Sequence, residues 1–164
     1  MTRLREEHPE IFVSISATTR PPRPGEVEGV HYMFVSAEEF DELVAADELL
    51  EWAVVHGANR YGTPRAPLLA ALASGREALL EIDLQGARQV RTSWPSARFV
   101  FLAPPDWKEL VRRLVGRGTE SEEQRLRRLE TAKAEMAAAA EFDHVIVNRE
   151  IGQAVDELVG LLSL

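Results

Sequence analysis

The chain contains no cysteine, and its four histidines are scattered without the spacing of metal ligands. Neither a disulfide framework nor a thiolate metal site is therefore available to it. A broad positive field is also lacking. With 27 acidic residues against 19 basic ones the formal charge is −8, which argues against a general nucleic-acid or membrane-surface binder. No apolar run approaches membrane-spanning length. The opening stretch from Met1 to His8 leads into Pro9 without the apolar core of a secretory signal, so a cytoplasmic protein is expected. Internal repeats and linkers are absent too. The 164 residues lie in the single-domain range and suffice to bury one proper core, so one domain is expected.

What is present is an alternation of short apolar runs with amphipathic segments. Phe12 to Ile15, Leu49 to Val55, Ala78 to Ile82, Phe99 to Leu102 and Val145 to Val147 read as buried strands. Ser36 to Ala46, Pro64 to Ser74, Leu84 to Thr92, Asp106 to Val115, Glu122 to Ala140 and Ile151 to Leu162 carry helical spacing. The order predicts an α/β layered fold. Ser36 with Glu39 makes a capping box, Pro64 suits a first helical turn, and Gly75 follows a helix end. The alanine run from Ala137 to Ala140 extends a packed helix.

Three segments carry chemistry. The first runs from Ser14 through Arg20, Arg23 and Gly25 to Glu26, followed by Gly29 and Tyr32. It combines hydroxyls, two permanent cations and three prolines. Arginine offers a planar fork of donors at any relevant pH, so the pair suits a phosphate, with Tyr32 able to add a hydroxyl. The prolines lower the entropy lost on ordering and favour a positioned anion-binding loop over a solvated basic turn. The second segment sets Glu51 inside an otherwise apolar strand, before the loop His56-Gly57-Ala58-Asn59-Arg60-Tyr61-Gly62-Thr63-Pro64. A carboxylate there either finds donors such as the N–H groups of a guanine edge, or faces solvent by strand alternation. Glu81 and Asp83 end a strand where α/β folds place ligand contacts, and Asp83 either orders a magnesium ion or its waters or caps a helix. The third segment places Arg117 between Gly116 and Gly118, after Arg112 and Arg113 and before Arg125, Arg127 and Arg128. An arginine on such a backbone can close over a reacting phosphate, although most of these charges form a solvated helix-loop-helix with i,i+4 pairs.

Taken in order over essentially the whole chain, these segments resemble guanylate kinase. The stretch Ser16-Ala17-Thr18-Thr19-Arg20-Pro21-Pro22-Arg23-Pro24-Gly25-Glu26, continuing through Gly29 and Tyr32 to Phe34-Val35, is similar to that family's GMP-binding signature. The resemblance implies a P-loop-kinase-like parallel sheet flanked by helices. A small β-rich GMP-binding part would lie at about 16–63, and a helical lid at about 112–128. It implies that Arg20, Arg23, Tyr32 and Tyr61 hold the GMP phosphate, with Glu26 and Glu81 also among the GMP-binding residues. Ser16, Glu51 and Thr63 would read the guanine edge. Glu81 and Asp83 would be pocket and magnesium-side acids, with Mg2+ arriving with ATP. Arg113, Arg117 and Arg128 match the family's ATP-phosphate arginines, and Asn148 lies at a strand end near the adenine. Arg20, Arg117 and Arg128 are the catalytic candidates.

Two departures stand out. The segment from His56 to Tyr61 is one residue longer than usual for the family. The sequence also contains no G-x-x-x-x-G-K-[ST] loop, whose amides cradle the ATP phosphates. Arg3 to Pro9 resembles the end of the helix that follows that loop, so roughly 20 residues of strand, loop and helix start are expected to be missing, through a miscalled start or a fragment. The first central strand would be absent with them, leaving its neighbours with unpaired backbone groups. The chain as given is then expected to bind GMP and to transfer phosphate very poorly.

Three classes of function compete: an ATP:GMP phosphotransferase, a non-catalytic scaffold module of the same fold, and a kinase of a phosphorylated sugar. The complete phosphate and base set argues against the second. Glu51 argues against the third, since it makes sense only with a guanine edge.

Overall fold

The structure, a computed structural model, describes residues 1–55, 59–115 and 122–162. It divides into two units, Met1–Ala97 and Arg98–Leu164.

In the first unit the N-terminal helix α1 (Thr2–Glu7) buries Leu4. Strand β1 (Phe12–Val13) then pairs in parallel with β6 (Ala78–Leu79). Between them a four-stranded sheet forms from β2 (Ala17–Thr18), β3 (Met33–Phe34), β4 (Leu49–Val55) and β5 (Asn59–Pro64), in the order β3-β2-β5-β4. Strands β2 and β3 run parallel, whereas β5 is antiparallel to both β2 and β4. Helix α2 (Ala37–Ala45) starts in the expected capping box: Ser36 Oγ accepts from the Glu39 N–H, and the Glu39 carboxylate accepts from the Ser36 N–H. It delivers Phe40, which is fully buried, onto Ala17 and Leu49, with Met33, Val35, Leu43 and Val44 around them. Helix α3 (Arg65–Ala73) ends at Ser74, and Gly75 follows with φ +79°, a conformation that glycine adopts without strain. Pro64, expected inside that helix, instead closes β5 and stands one residue before the helix. Helix α4 (Leu84–Ser93) is capped by Asp83, whose Oδ1 accepts from the Gly86 N–H at 2.8 Å.

The second unit pairs β7 (Val100–Ala103) with β8 (His144–Val147) in parallel. Helices α5 (Trp107–Val115), α6 (Glu122–Ala137) and α7 (Ile151–Leu162) accompany them. The alanine run leaves the α-helix at Ala137, and Ala138–Glu141 form a 3-10 turn.

The α/β class, with parallel pairing and flanking helices, is as the sequence predicts. Complete burial of the strands is not. In β8, Val145 and Val147 are exposed on either side of the buried Ile146, which is the alternation of a strand covered on one face. The segments read as loops at 17–18 and 59–64 are strands, held by pairing with residues far away in sequence.

Candidate functional site

The phosphate-type loop is built around Arg20, which follows β2 and is only 8% exposed. Four of its five N–H groups already have partners. Nε donates to the Tyr61 hydroxyl at 3.1 Å and Nη1 to the Pro21 carbonyl at 2.7 Å. The outer nitrogens grip Glu26 in bidentate fashion, at 3.0 Å (Nη1 to Oε2) and 2.9 Å (Nη2 to Oε1). Glu26 also accepts from the Arg23 backbone N–H at 2.7 Å, so one carboxylate fixes both the guanidinium and the turn that carries Arg23. Hydrogen bonding to Arg20 holds the Glu26 carboxyl below its usual range, and the same pairing raises Arg20.

Aromatic rings complete the setting. The Arg20 guanidinium lies 5.3 Å from the centre of the Tyr32 ring and 5.8 Å from that of Phe34. Tyr32 and Tyr61 meet edge to face at 5.8 Å. Contacts of this kind stabilise a partly desolvated cation and keep its plane fixed. Burial pushes the Tyr32 phenol up, and the Glu81 charge adds to it, so Tyr32 remains a hydroxyl donor across the physiological range. Tyr61 accepts from Arg20 and therefore keeps its own O–H proton for a further acceptor. Gly25 and Gly29 have φ of +86° and +71°; with nothing near either position, the backbone conformation alone calls for glycine. The Arg23 side chain is exposed.

A second cluster lies on β4 and β5. The register between these strands shifts by one residue between Leu49 and Trp52. The extra residue puts Leu49 and Trp52 on one face, where Leu49 packs on Phe40 and the Trp52 ring meets Phe40 edge to face. Glu51 is turned to the other face, as expected of a bulge that re-aims a side chain. It is 5% exposed, so the solvent-facing alternative for this carboxylate does not hold. Its Oε1 accepts from the hydroxyl of Thr63, itself fully buried, at 2.7 Å. Its Oε2 lies against Gly86, where a Cβ would come within 2.3 Å. Burial raises the Glu51 carboxyl above its usual range; the Thr63 bond lowers it and the nearby Asp83 charge raises it further. A buried carboxylate held through Thr63, with its second oxygen beside a helix terminus, suits a ligand edge that carries N–H groups.

The remaining candidates are less concentrated. Ser16 is partly buried next to β2, and its carbonyl accepts from the Met33 N–H. Glu81 is exposed. Asp83 spends Oδ1 on the helix cap, while Oδ2 has a long contact of 3.4 Å from Gln85 Nε2. One oxygen is thus left for a metal-bound water, which fits an indirect magnesium contact and no more. Among the described residues no group of three acidic or histidine side chains could hold a metal ion directly. In the second unit Arg113 donates to Glu109 at 2.7 Å and to the Asn148 carbonyl at 3.5 Å. Arg112 and Arg113 together hold the Glu109 carboxyl at about 2. Arg128 is partly buried on α6, and Arg117 lies outside the described residues.

Sequence reasoning missed three contributors. Phe34 backs Arg20, Gly86 is the surface against which Glu51 rests, and Gln89 bonds the backbone beside Glu51. Phe34 stood in the signature without a role, and Gly86 left a signal as a glycine in the first turn of a helix where alanine would serve the helix better; Gln89 left none.

Comparison with known proteins identifies the family. A family model described as guanylate kinase matches residues 2–163. The guanylate kinase of Leifsonia xyli subsp. xyli is 61% identical over 161 residues, covering 98% of this chain and 63% of that protein. The chain therefore spans less than two thirds of that relative. The guanylate kinase of Thermobifida fusca is 61% identical over 160 residues, with 98% of this chain and 81% of that protein covered. A crystal structure of guanylate kinase from Anaplasma phagocytophilum superposes with a TM-score of 0.83 at 36% identity, covering 99% of this chain and 78% of that one. This chain belongs to the guanylate kinase family.

Proposed function

We propose that this chain binds GMP and provides the acceptor side of phosphoryl transfer from ATP to GMP, giving ADP and GDP. One observation carries the reading: two prepared polar clusters, Arg20 with Tyr61 and Tyr32, and Glu51 with Thr63, lie on the strands of one sheet or directly at their ends. In this reading residues of about 16–63 are the GMP-binding part and about 112–128 the lid of one functional domain. Arg23, both tyrosine hydroxyls and the remaining N–H of Arg20 take the phosphate, while Ser16, Glu51 and Thr63 take the base. Glu26 is not a direct ligand but the counter-charge that holds Arg20 in place. Arg113, Arg117 and Arg128 neutralise ATP phosphates, Asn148 lies beside the adenine, and the cytoplasm is the place of action.

Catalysis in this class is positioning and charge stabilisation, with little covalent work for the protein. Magnesium brought with ATP would neutralise phosphate charge, and Asp83, assisted by Glu81, would orient a water of that ion. No G-x-x-x-x-G-K-[ST] loop is present in the 164 residues. Loss of an electrostatic cradle commonly costs on the order of a hundredfold or more in rate, so the 164-residue chain by itself is a GMP binder with very weak transferase activity. Titration calorimetry should show GMP binding well ahead of AMP and ribose phosphates. Equal binding of all three would refute the reading of the base site, and robust GMP-dependent ADP formation by this polypeptide would refute the impairment.

A further inference from the structure

Helix α4 is tied to strand β4 by side-chain amides rather than by apolar packing alone. Gln89 Nε2 donates to the Trp52 carbonyl at 2.7 Å, and the Trp52 N–H donates to Gln89 Oε1 at 3.2 Å. One turn earlier, Gln85 Nε2 donates to the Val54 carbonyl at 3.3 Å. The spacing is commensurate. Two strand residues span about 6.6 Å and four helical residues about 6 Å, so glutamines at i and i+4 meet alternate carbonyls of one strand edge. They stand where a further strand would pair and cover that edge.

Between these two anchors lies Gly86, so close to the Glu51 carboxylate that a Cβ would come within 2.3 Å of Oε2. Glu51 is the residue immediately before Trp52, and its carboxylate is confined by Thr63 on one side and Gly86 on the other. The distance between helix and strand therefore sets where that carboxylate points, and Gln89, with both of its amide bonds on Trp52, sets the distance. Nothing in the chemistry of the site has Gln89 touching substrate.

We propose that Gln89 is a positioning residue for base selectivity: its double hydrogen bond to the Trp52 backbone holds Glu51 in register with the donor groups of guanine. The proposal rests on the reading of Glu51 as the base-edge acceptor. Hypoxanthine differs from guanine by lacking the exocyclic amine, so the ratio of GMP to IMP affinity reports the aim of Glu51, while a general loss of stability lowers both affinities together.

The test is titration calorimetry of the 164-residue chain with GMP and with IMP, for the unaltered protein and for Gln89→Leu, alongside thermal unfolding. The unaltered chain should prefer GMP. In Gln89→Leu the GMP affinity should fall about tenfold or more, the range of a hydrogen bond to a charged group, while IMP, which keeps N1–H but has no exocyclic amine to lose, should fall less, so that the preference narrows. A preserved GMP-to-IMP ratio in Gln89→Leu would overturn the proposal, whatever happens to its melting temperature. Equal affinity of the unaltered chain for GMP and IMP would overturn the reading of Glu51, and the proposal with it. If Gln89→Leu folds poorly by circular dichroism, Gln89→Glu decides the question. It keeps the acceptor for the Trp52 N–H, places a carboxylate against the Trp52 carbonyl, and should narrow the preference in the same way.

Discussion

Replacing Gly86 by alanine should separate stability from recognition. The new Cβ would sit 2.3 Å from Glu51 Oε2 and 3.0 Å from Glu51 Cδ, against roughly 3.5 Å for an unstrained contact, so the carboxylate must withdraw by about 1 Å. That movement disturbs the 2.7 Å bond from Thr63, a loss of about 0.5–1.5 kcal/mol. Alanine in a helix is worth at most about 1 kcal/mol over glycine in the opposite direction. The two effects nearly cancel, and the melting temperature should change by no more than about 2–4 °C. Recognition has no such compensation. Losing a hydrogen bond to a charged group costs about 1.5–3 kcal/mol, which is roughly 10- to 150-fold in GMP Kd. Calorimetric titration with GMP, paired with a melting curve, measures both quantities on one preparation. Unchanged GMP affinity in a folded Gly86→Ala chain would refute the reasoning, because the base would then be indifferent to the placement of Glu51.

Two further outcomes are expected. Arg20→Ala should destabilise the chain by about 3 kcal/mol, the scale for removing one partner of a buried pair and stranding the other, and should abolish GMP binding; a melting temperature equal to that of the unaltered chain would show that the Arg20–Glu26 pair adds nothing. The third concerns Glu51, whose folded pKa is raised, so that the folded state binds its proton more tightly than the unfolded chain does. Its contribution is therefore unfavourable above the raised folded value and fades as pH falls toward the ordinary carboxylate value of about 4.3. Glu51→Gln should accordingly melt at least as high as the unaltered chain at pH 7 while losing GMP selectivity, and its advantage should shrink as the pH is lowered through that window. A variant that melts lower at pH 7 would contradict this sign.

The α/β class was legible because helical spacing and short apolar runs are local patterns, and the capping box at Ser36 and Glu39 is written entirely within four residues. The loop around Arg20 was legible for the same reason: its prolines, glycines and arginines are consecutive. Strands β2, β3 and β5 were not, since two to six residues flanked by turn formers give no period, and only pairing with distant partners makes them strands. Glu26 illustrates the difference within the site. The residue stood in the signature, yet its service as the clamp on the Arg20 fork depends on how the turn folds back over six residues.

The amino-acid sequence by itself determined the helices, the family resemblance and the chemical character of the phosphate and base clusters, because each is encoded in residues that are neighbours along the chain. Only the tertiary structure decided that Glu51 is buried, that the Tyr61 hydroxyl accepts from Arg20, and that Gly86 and Gln89 lie beside Glu51 and its strand. Each of those depends on a strand register shift or on a helix docked to a strand edge, and such contacts between distant segments are fixed by packing rather than by local sequence.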